Sequence, residues 1–441
     1  MSGSRFEVYT RLDLERGRIP YFQRLPAEQR FAMRVIAQVL PFRVNRYVVE
    51  ELIDWNRVPD DPIFQLTFPQ PGMLPPEDFS TLIALLYSGA SRAEITAKVQ
   101  AIRQNLNPHP AGQFDLNVPR DVWGNPIQGL QHKYRHTVLF FPSRGQTCHS
   151  YCSFCFRWAQ FVEDSNLRMA CREARVLHEY LRCHPEVSDV LITGGDPMVM
   201  TAKHLERLLL PLLAPEFEHV QSIRIGTKAL SFWPYRFLTD RDAEEVLKLF
   251  EKVVRKGKHL AIMAHYNHFR ELEPEPARQA IARVRATGAV IRSQGPLLAH
   301  VNDDPLVWAK LWQAQVRLGI VPYYLFVARD TGAVRYFELP LVRAWEIYRA
   351  AVQQISGLGQ TARGPCLSVA QGKVEIFGVT EVGGEKVIGL RFLKARDSTW
   401  DLQPFFARFD PQATWLDQLR PAFGEDRFFF EAHQGLAGGA S

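Results

Sequence analysis

The chain has 441 residues, of which 46% are hydrophobic and 23% charged, a balance typical of a folded globular protein and unlike that of a disordered, fibrous or membrane-spanning chain. Lysine and arginine number 53 against 47 aspartates and glutamates, which gives a formal net charge of +6. Because the basic residues do not cluster in runs, we expect anionic small ligands and no nucleic acid partner. The longest apolar stretches, such as 208–213, fall far short of the roughly 20 residues of a spanning helix, so no membrane partner is expected.

The first 128 residues have the pattern of a helical region. Proline-rich connections separate stretches of helical periodicity, and Ser91 followed by Glu94 predicts a capping box at the start of one of them. The predicted helices cover residues 26–40, 76–87 and 91–106. Residues 1–16 are polar and lack the apolar core of a secretory signal, which predicts a cytoplasmic, reducing location.

From residue 129 to residue 355 short β-rich runs alternate with amphipathic segments of helix length. This alternation predicts an α/β fold with a parallel sheet, and we interpret it as a partial (β/α)6 TIM-like barrel, with a doubly wound open sheet as the alternative that periodicity does not exclude. The predicted strands are residues 137–141, 189–193, 222–226, 259–265, 290–294 and 321–327. The predicted helices are residues 166–182, 202–213, 242–256, 275–287 and 305–318.

Residues 356–441 form a third, small region in which the alternation breaks down. Two β-segments are predicted there, at 373–380 and 386–392, followed by an aromatic tail.

Three of the six cysteines need a chemical explanation. Cys148, Cys152 and Cys155 form a C-x3-C-x2-C pattern directly after the first predicted barrel strand. Iron–sulfur cubes usually have one thiolate per iron, so three closely spaced cysteines leave one iron open for a substrate or cofactor. Structural zinc is the alternative, but a closed zinc site needs a fourth ligand at similar spacing, and no second C-x2-C follows.

The cysteine pattern, with Phe154 just before the third cysteine, resembles that of the radical S-adenosylmethionine (SAM) superfamily. The resemblance implies that the three cysteines bind a [4Fe-4S] cluster whose open iron chelates SAM, that Phe154 lies against the adenine, and that the fold is a radical SAM barrel. Gly194, Gly195 and Asp196 end the second predicted strand and are similar to the motif that holds the methionyl amine. Two glycines let the backbone approach a ligand, and an acid accepts hydrogen bonds from an ammonium group.

Further strings resemble the lysine 2,3-aminomutase family over about residues 55–395. Their order and spacing together, and no single one of them, carry the resemblance. They are Gly-Leu-Gln-His-Lys-Tyr at 129–134, Cys-Phe-Arg at 155–157, His-Tyr-Asn-His at 265–268, Gln294 with Leu-Leu at 297–298 and Val-Asn-Asp at 301–303, and Pro-Tyr-Tyr at 322–324.

The resemblance also implies pyridoxal 5'-phosphate, held on a lysine seventeen positions after a Ser-Gly pair. Ser356 and Gly357 place Lys373 in that register, although the glycine run before it is reduced to Gly372. A lysine forms a Schiff base only when its amine is neutral, which burial promotes. Lys133 stands where the family has a basic residue that meets the cofactor phosphate.

The resemblance implies a reaction in which a 5'-deoxyadenosyl radical activates the β-carbon and the α-amino group moves to it. Arg157, two residues after the last cluster cysteine, matches the family arginine that pairs with the substrate carboxylate. Lysine-specific members use two aspartates for the distal ammonium, but Arg329 and Cys366 occupy those registers here, with Asp330 adjacent to the first. An arginine repels a lysine side chain, so the expected substrate is either lysine-type or an acidic amino acid.

Three alternatives stay open at this point: an enzyme of the same family without pyridoxal phosphate, an aminomutase acting on a lysine of a translation factor, and a non-catalytic iron–sulfur module. The resemblance further implies a homo-oligomer and an electron donor such as flavodoxin or ferredoxin.

Overall fold

The computed structural model describes residues 5–162 and 169–431. Its N-terminal part combines a two-stranded antiparallel ribbon with five helices. In chain order these elements are β1 (Val8–Thr10), α1 (Arg11–Glu15), α2 (Ala27–Val39), β2 (Arg43–Asn45), α3 (Pro62–Thr67), α4 (Pro76–Tyr87) and α5 (Arg92–Asn105). The predicted helices are confirmed to within one residue, and Ser91 and Glu94 form the capping box expected at the start of α5.

The central feature is one eleven-stranded sheet, in which seven neighbouring strands run parallel. The first six strands of this run form the predicted barrel. These are β4 (Thr137–Phe140), β5 (Asp189–Ile192), β6 (Ser222–Thr227), β7 (His259–His265), β8 (Val290–Leu297) and β9 (Ile320–Val327). Between them lie α6 (Ala174–Arg182), α7 (Ala202–Leu209), α8 (Ala229–Phe232), α9 (Ala243–Arg255), α10 (Glu275–Ala286) and α11 (Pro305–Arg317).

The alternation of side chains along these strands shows that the sheet curls. Val138, Val190 and Ile223 are fully buried in the apolar core shared with the surrounding helices. On the opposite face of the same strands, Thr137 and Asp189 line a single interior cavity with residues from β6 to β9. A sheet whose strands all face one cavity is a partial barrel, so the predicted α/β barrel of six strands is confirmed.

Both edges of the barrel are extended by strands that the sequence did not predict in full. β3 (Leu130–Tyr134) pairs antiparallel with β4, and β10 (Arg363–Ser368) pairs parallel with β9 after α12 (Val334–Phe337) and α13 (Leu341–Val352). An antiparallel meander of β11 (Gly372–Val382), β12 (Glu385–Ala395) and β13 (Pro404–Arg408) then completes the same sheet. The sheet therefore continues across residue 356, and the three-region division stays a prediction.

Two predicted helices have different bounds in the structure. The predicted helix at 166–182 begins only at Ala174, and its first three residues lie outside the described part of the chain. Residues 169–173 are not helical because the backbone of Cys171 bonds to Phe141 and Ser143, which makes a bridge beside the sheet. The helix predicted at 202–213 ends at Leu209, since Pro211 interrupts the helical hydrogen bonds.

Across residues 5–162 and 169–431, the structure shows no helix long and apolar enough to cross a membrane.

Candidate active site

The interior of the partial barrel holds a cavity of about 460 Å³. Phe154 of the cysteine loop and His265 at the end of β7 line it, and so does Lys373 on β11. The cavity therefore joins the two places where the sequence predicts cofactors.

The N-terminal part of the chain holds the cysteine loop in place. The Tyr151 N–H donates to the carbonyl of Arg43 on β2 at 2.8 Å. The Ser153 N–H donates to the carbonyl of Leu66 on α3 at 2.8 Å, and its hydroxyl donates to the Gln65 carbonyl at 2.7 Å. The loop conformation thus depends on β2 and α3, about 100 residues away in the sequence.

The three loop cysteines are half-buried free thiols. Burial raises the pKa of Cys152 to about 12 and that of Cys155 to about 11, and burial with the nearby Asp196 charge raises the pKa of Cys148. Each of these thiols stays protonated near neutral pH unless a metal compensates the thiolate charge, and iron coordination supplies that compensation. Within the described ranges, no group of three or more His, Cys, Asp or Glu side chains is arranged to hold a single metal ion. Cys152 and Cys155 also raise the pKa of Cys148, and Cys155 raises that of Cys152, so the three thiols are near neighbours, as ligands of one multi-iron cluster must be.

Phe154 lies on the wall of the cavity, and its predicted contact with the adenine stays a prediction. It stacks on His265 with ring centroids 5.8 Å apart and an interplanar angle of 21°. Burial and the charge of Lys228 lower the pKa of His265 to about 3, so the imidazole is neutral. The His265 Nδ1 is buried and has no hydrogen-bond partner in the described structure, which leaves it available to a ligand beside Phe154.

Gly194 and Gly195 allow the backbone to pack closely against the residues just before Cys148. A Cβ on Gly194 would lie 2.2 Å from Gln146 Nε2, and one on Gly195 would lie 2.5 Å from the carbonyl oxygen of Thr147. Neither glycine lines the cavity, and a side chain at either position would displace the residues that lead into Cys148.

The Asp196 carboxylate is buried and bonds to other residues of the protein. Its carboxylate accepts hydrogen bonds from the Thr227 hydroxyl at 2.7 Å, the Lys228 N–H at 2.9 Å and the Met198 N–H at 2.9 Å. Burial raises its pKa to about 6 despite these bonds. The observed role of Asp196 is to join the ends of β5 and β6, and its contact with the methionyl amine stays a prediction.

Arg157 lies on the wall of the cavity and keeps free donors. Its Nη1 donates to the Thr193 hydroxyl at 2.5 Å and to the Gly194 carbonyl at 3.1 Å. Its Nε is buried and finds no acceptor among the described residues. This arrangement is suited to a carboxylate in the cavity, as the sequence predicts for Arg157.

Lys373 points into the cavity, with its Nζ 3.8 Å from the centroid of the Tyr324 ring. Burial lowers the pKa of its amine, and the Cys366 and Tyr323 groups offset only part of that shift. The retained Gly372 has a packing role, because a Cβ there would lie 2.4 Å from the Lys394 carbonyl oxygen.

Lys133 lines the same cavity but already has partners. Its Nζ donates to the carbonyls of Val369 and Gly372, in the turn that leads into Lys373. Burial and the Arg329 charge lower its pKa to about 6. Lys133 therefore holds the turn that carries Lys373, while its contact with a cofactor phosphate stays a prediction.

Arg329 lines the cavity, whereas the neighbouring Asp330 does not. The Arg329 Nη2 donates to the Pro110 carbonyl at 3.1 Å, and its Nε is buried with no partner in the described chain. Asp330 instead accepts a hydrogen bond from Asn107 at 3.1 Å. Cys366 is fully buried and also lies off the cavity wall.

Basic side chains outnumber acidic ones on the cavity wall, although burial lowers the pKa of the amines of Lys133 and Lys373. Seven lysine and arginine side chains line it, and the single carboxylate among the described lining residues, Asp189, is bound by both Arg224 Nε and Nη2. No functional role was assigned to Arg224 or to His265 from the sequence, because strand alternation shows which face a residue lies on but not that a ligand site lies there.

The fold and site together define a class: a partial parallel barrel with a three-cysteine loop after its first parallel strand, opening onto an interior cavity, is typical of radical SAM enzymes. No protein-family model matches the chain. Against curated proteins, the chain is 30% identical over 407 residues to the Aquifex aeolicus protein named "Putative L-lysine 2,3-aminomutase", covering 92% of this chain and 95% of that one. It is 27% identical over 247 residues to the glutamate 2,3-aminomutase of Clostridioides difficile, covering 56% of this chain and 55% of the relative.

The chain therefore belongs to the lysine 2,3-aminomutase family of radical SAM enzymes. Among solved structures it is similar to Streptococcus suis SuiB bound to S-adenosylmethionine, with 12% identity and a TM-score of 0.36 over 63% of this chain and 58% of that chain. That score is too low to add to the assignment.

Proposed function

We propose that the chain is a pyridoxal phosphate-dependent radical SAM 2,3-aminomutase that acts on an amino acid with an anionic side chain. The observation that carries the proposal is the single cavity that joins Phe154, beside the cysteine loop, to Lys373. A reaction that needs a radical source and a Schiff-base lysine requires the two to share one enclosed space.

The side chains fit the groups that this reaction needs. Cys148, Cys152 and Cys155 would hold the cluster, Phe154 the adenosyl part of SAM, and Lys373 the pyridoxal. When bound, the cluster and SAM supply a hydrogen-abstracting radical, and pyridoxal phosphate supplies a conjugated system across which nitrogen can move between adjacent carbons.

The chain itself provides a neutral amine, a fixed carboxylate partner and a closed space. Burial favours the neutral form of Lys373, which is the form that attacks a carbonyl. Lys133 restrains the turn before Lys373 through two carbonyls. The Arg157 guanidinium is anchored by Thr193 and Gly194, so it can orient a carboxylate with little loss of side-chain entropy.

The anionic side chain is inferred from the charge of the wall. The described lining residues include one carboxylate, which is already bound by Arg224, so a lysine substrate would find no partner for its distal ammonium. Arg329 lines the same cavity, and its buried Nε has no partner among the described residues, so an anionic side chain would supply the missing acceptor. The similarity to a relative named glutamate 2,3-aminomutase supports an acidic substrate.

The pyridoxal part of the proposal is tested by reductive trapping. The anaerobically reconstituted protein is incubated with pyridoxal 5'-phosphate and treated with borohydride, and the labelled peptide is identified by mass spectrometry. We expect a pyridoxyl group on Lys373 in the wild type and no label in Lys373→Ala. Lys394→Ala is the matched control, because Lys394 lines the same cavity but pairs with Asp401. Labelling that persists in Lys373→Ala and is lost in Lys394→Ala would refute the assignment.

The external electron donor, flavodoxin or ferredoxin, stays a prediction from the sequence. The homo-oligomeric state and the cytoplasmic location also stay predictions.

A further inference from the structure

We infer that Phe156 fixes the separation of two carboxylate-binding guanidiniums, Arg157 and Arg329, and thereby selects amino acids with two carboxylates. This inference rests on the proposed function and deepens it, because it assigns both ends of the substrate and a residue between them.

Both arginine side chains pack against the aromatic ring of Phe156. The Arg157 Cζ lies 4.9 Å from the ring centroid, and the Arg329 Cζ lies 5.2 Å from it. All three side chains line the cavity. The two guanidinium carbons can thus be no more than about 10 Å apart, a separation that one small dicarboxylate can bridge through a forked contact at each end.

Each guanidinium is anchored on one side and free on another. Arg157 is held through Nη1 by Thr193 and Gly194, and Arg329 is held through Nη2 by the Pro110 carbonyl. The Nε of each arginine is buried without a partner in the described residues. Buried charged donors without acceptors are costly, so both positions favour an anion.

Phe156 offsets the repulsion between the two cations. The two guanidinium carbons lie within about 10 Å of each other against the same ring, so their positive charges repel each other. The negative face of an aromatic ring attracts guanidinium groups and orients them parallel to it. Without the ring, the two guanidiniums lose their shared contact. Arg157 keeps the Phe141 ring at 4.9 Å and its two hydrogen bonds, whereas Arg329 keeps the bond to the Pro110 carbonyl, so Arg329 becomes free to shift relative to Arg157.

Phe156 is therefore a positioning residue for specificity. A dicarboxylate satisfies both guanidiniums, whereas a monocarboxylate satisfies one and leaves the other buried without an acceptor. A lysine side chain brings a like charge to Arg329.

The test uses dicarboxylates that lack an amino group, so that binding does not depend on pyridoxal chemistry. Glutarate, succinate and pentanoate are titrated by calorimetry into the anaerobically reconstituted full-length protein. We expect glutarate to bind the wild type at least about tenfold more tightly than pentanoate, since loss of one carboxylate leaves one arginine without an acceptor.

Phe156→Leu should weaken glutarate binding by about thirtyfold, the size of one desolvated cation–π contact. It should change the glutarate-to-succinate affinity ratio and leave pentanoate binding unchanged. Phe156→Tyr should restore the wild-type values. Phe377→Leu is the matched control. An arginine also packs on Phe377, with the Arg391 Cζ 6.0 Å from the ring centroid, but Phe377 does not line the cavity.

Unchanged glutarate affinity and an unchanged glutarate-to-succinate ratio in Phe156→Leu would overturn the inference. If that variant does not fold, Arg329→Lys provides the test, since it keeps the charge but loses the planar fork. We expect it to lose the advantage of glutarate over pentanoate, and retention of the full advantage would overturn the inference. Absence of pyridoxyl label on Lys373 would instead refute the proposed function, and that result is independent of Phe156.

Discussion

Asp61 links the N-terminal part of the chain to the barrel, and its removal tests how the cysteine loop is supported. Its carboxylate caps α3 by accepting from the Ile63 N–H at 3.0 Å and the Phe64 N–H at 2.9 Å. The other carboxylate oxygen pairs with Arg270 of the barrel. The carbonyls near the end of α3 in turn hold Ser153 in the cysteine loop.

The expected cost of Asp61→Ala follows from these contacts. Loss of the helix cap costs about 1 kcal/mol. Breaking a buried ion pair costs about 3–5 kcal/mol when the remaining charge is buried, and the lower end applies because the Arg270 side chain is 20% exposed. We therefore expect a destabilisation of about 3–4 kcal/mol in Asp61→Ala. Asp61→Asn keeps the cap acceptor but loses the ion pair, so we expect about three quarters of that cost in this variant.

The assay is urea unfolding followed by circular dichroism, together with the iron content per chain after anaerobic reconstitution. Asp60→Ala is the control, because Asp60 is adjacent and exposed. We expect a lower unfolding midpoint and less iron in Asp61→Ala, and wild-type values in Asp60→Ala. Equal midpoints and equal iron content in the two variants would refute the proposed route of support.

Two further predictions concern the turn before Lys373 and the pH dependence of stability. Gly372→Ala should reduce pyridoxyl labelling of Lys373 severalfold, because the added Cβ would lie 2.4 Å from a carbonyl oxygen. Gly378→Ala is the control, because a Cβ at Gly378 meets open space, and Lys373 should be labelled normally in it. Equal labelling of the two variants would contradict the packing argument. Burial lowers the pKa of His265 to about 3 and that of His268 to about 4. Below about pH 6.5 these histidines therefore bind protons in the unfolded chain before they do so in the folded protein. The free energy of unfolding should fall by about 2 kcal/mol per histidine at about pH 5. Asp196 has the opposite effect, because burial raises its pKa to about 6 and it binds a proton first in the folded state. This adds only about 1 kcal/mol to the free energy of unfolding at about pH 5. The urea midpoint should therefore be lower at about pH 5 than at about pH 7.5, and an equal or higher midpoint would contradict this balance.

The barrel strands were predictable because two local signals agree. Alternation places Val138 and Val190 in the outer core and Thr137 and Asp189 on the inner face, and helix-length segments separate the strands. The edge strand β10 lacks such a signal, because its sequence includes glycine, proline and cysteine and depends on pairing with β9 and β11.

The site was predictable where residues lie close in sequence and not where they come from distant segments. The cysteine loop and Arg157 are local features. The support of that loop by Gln65, and the bonds from Lys133 to the turn before Lys373, join residues 88 and 236 positions apart. Asp196 shows the converse case, since its motif indicates a ligand contact while its carboxylate is occupied within the fold.

The most direct test of the account is product analysis under turnover conditions. The anaerobically reduced holoprotein with SAM and pyridoxal 5'-phosphate is given glutamate or lysine in separate reactions, and β-amino acid products are measured by mass spectrometry. We expect β-glutamate from the wild type, no product from lysine, and no product from either in Lys373→Ala. Formation of β-lysine without β-glutamate would contradict the assignment of the Arg329 end of the cavity to an anionic side chain.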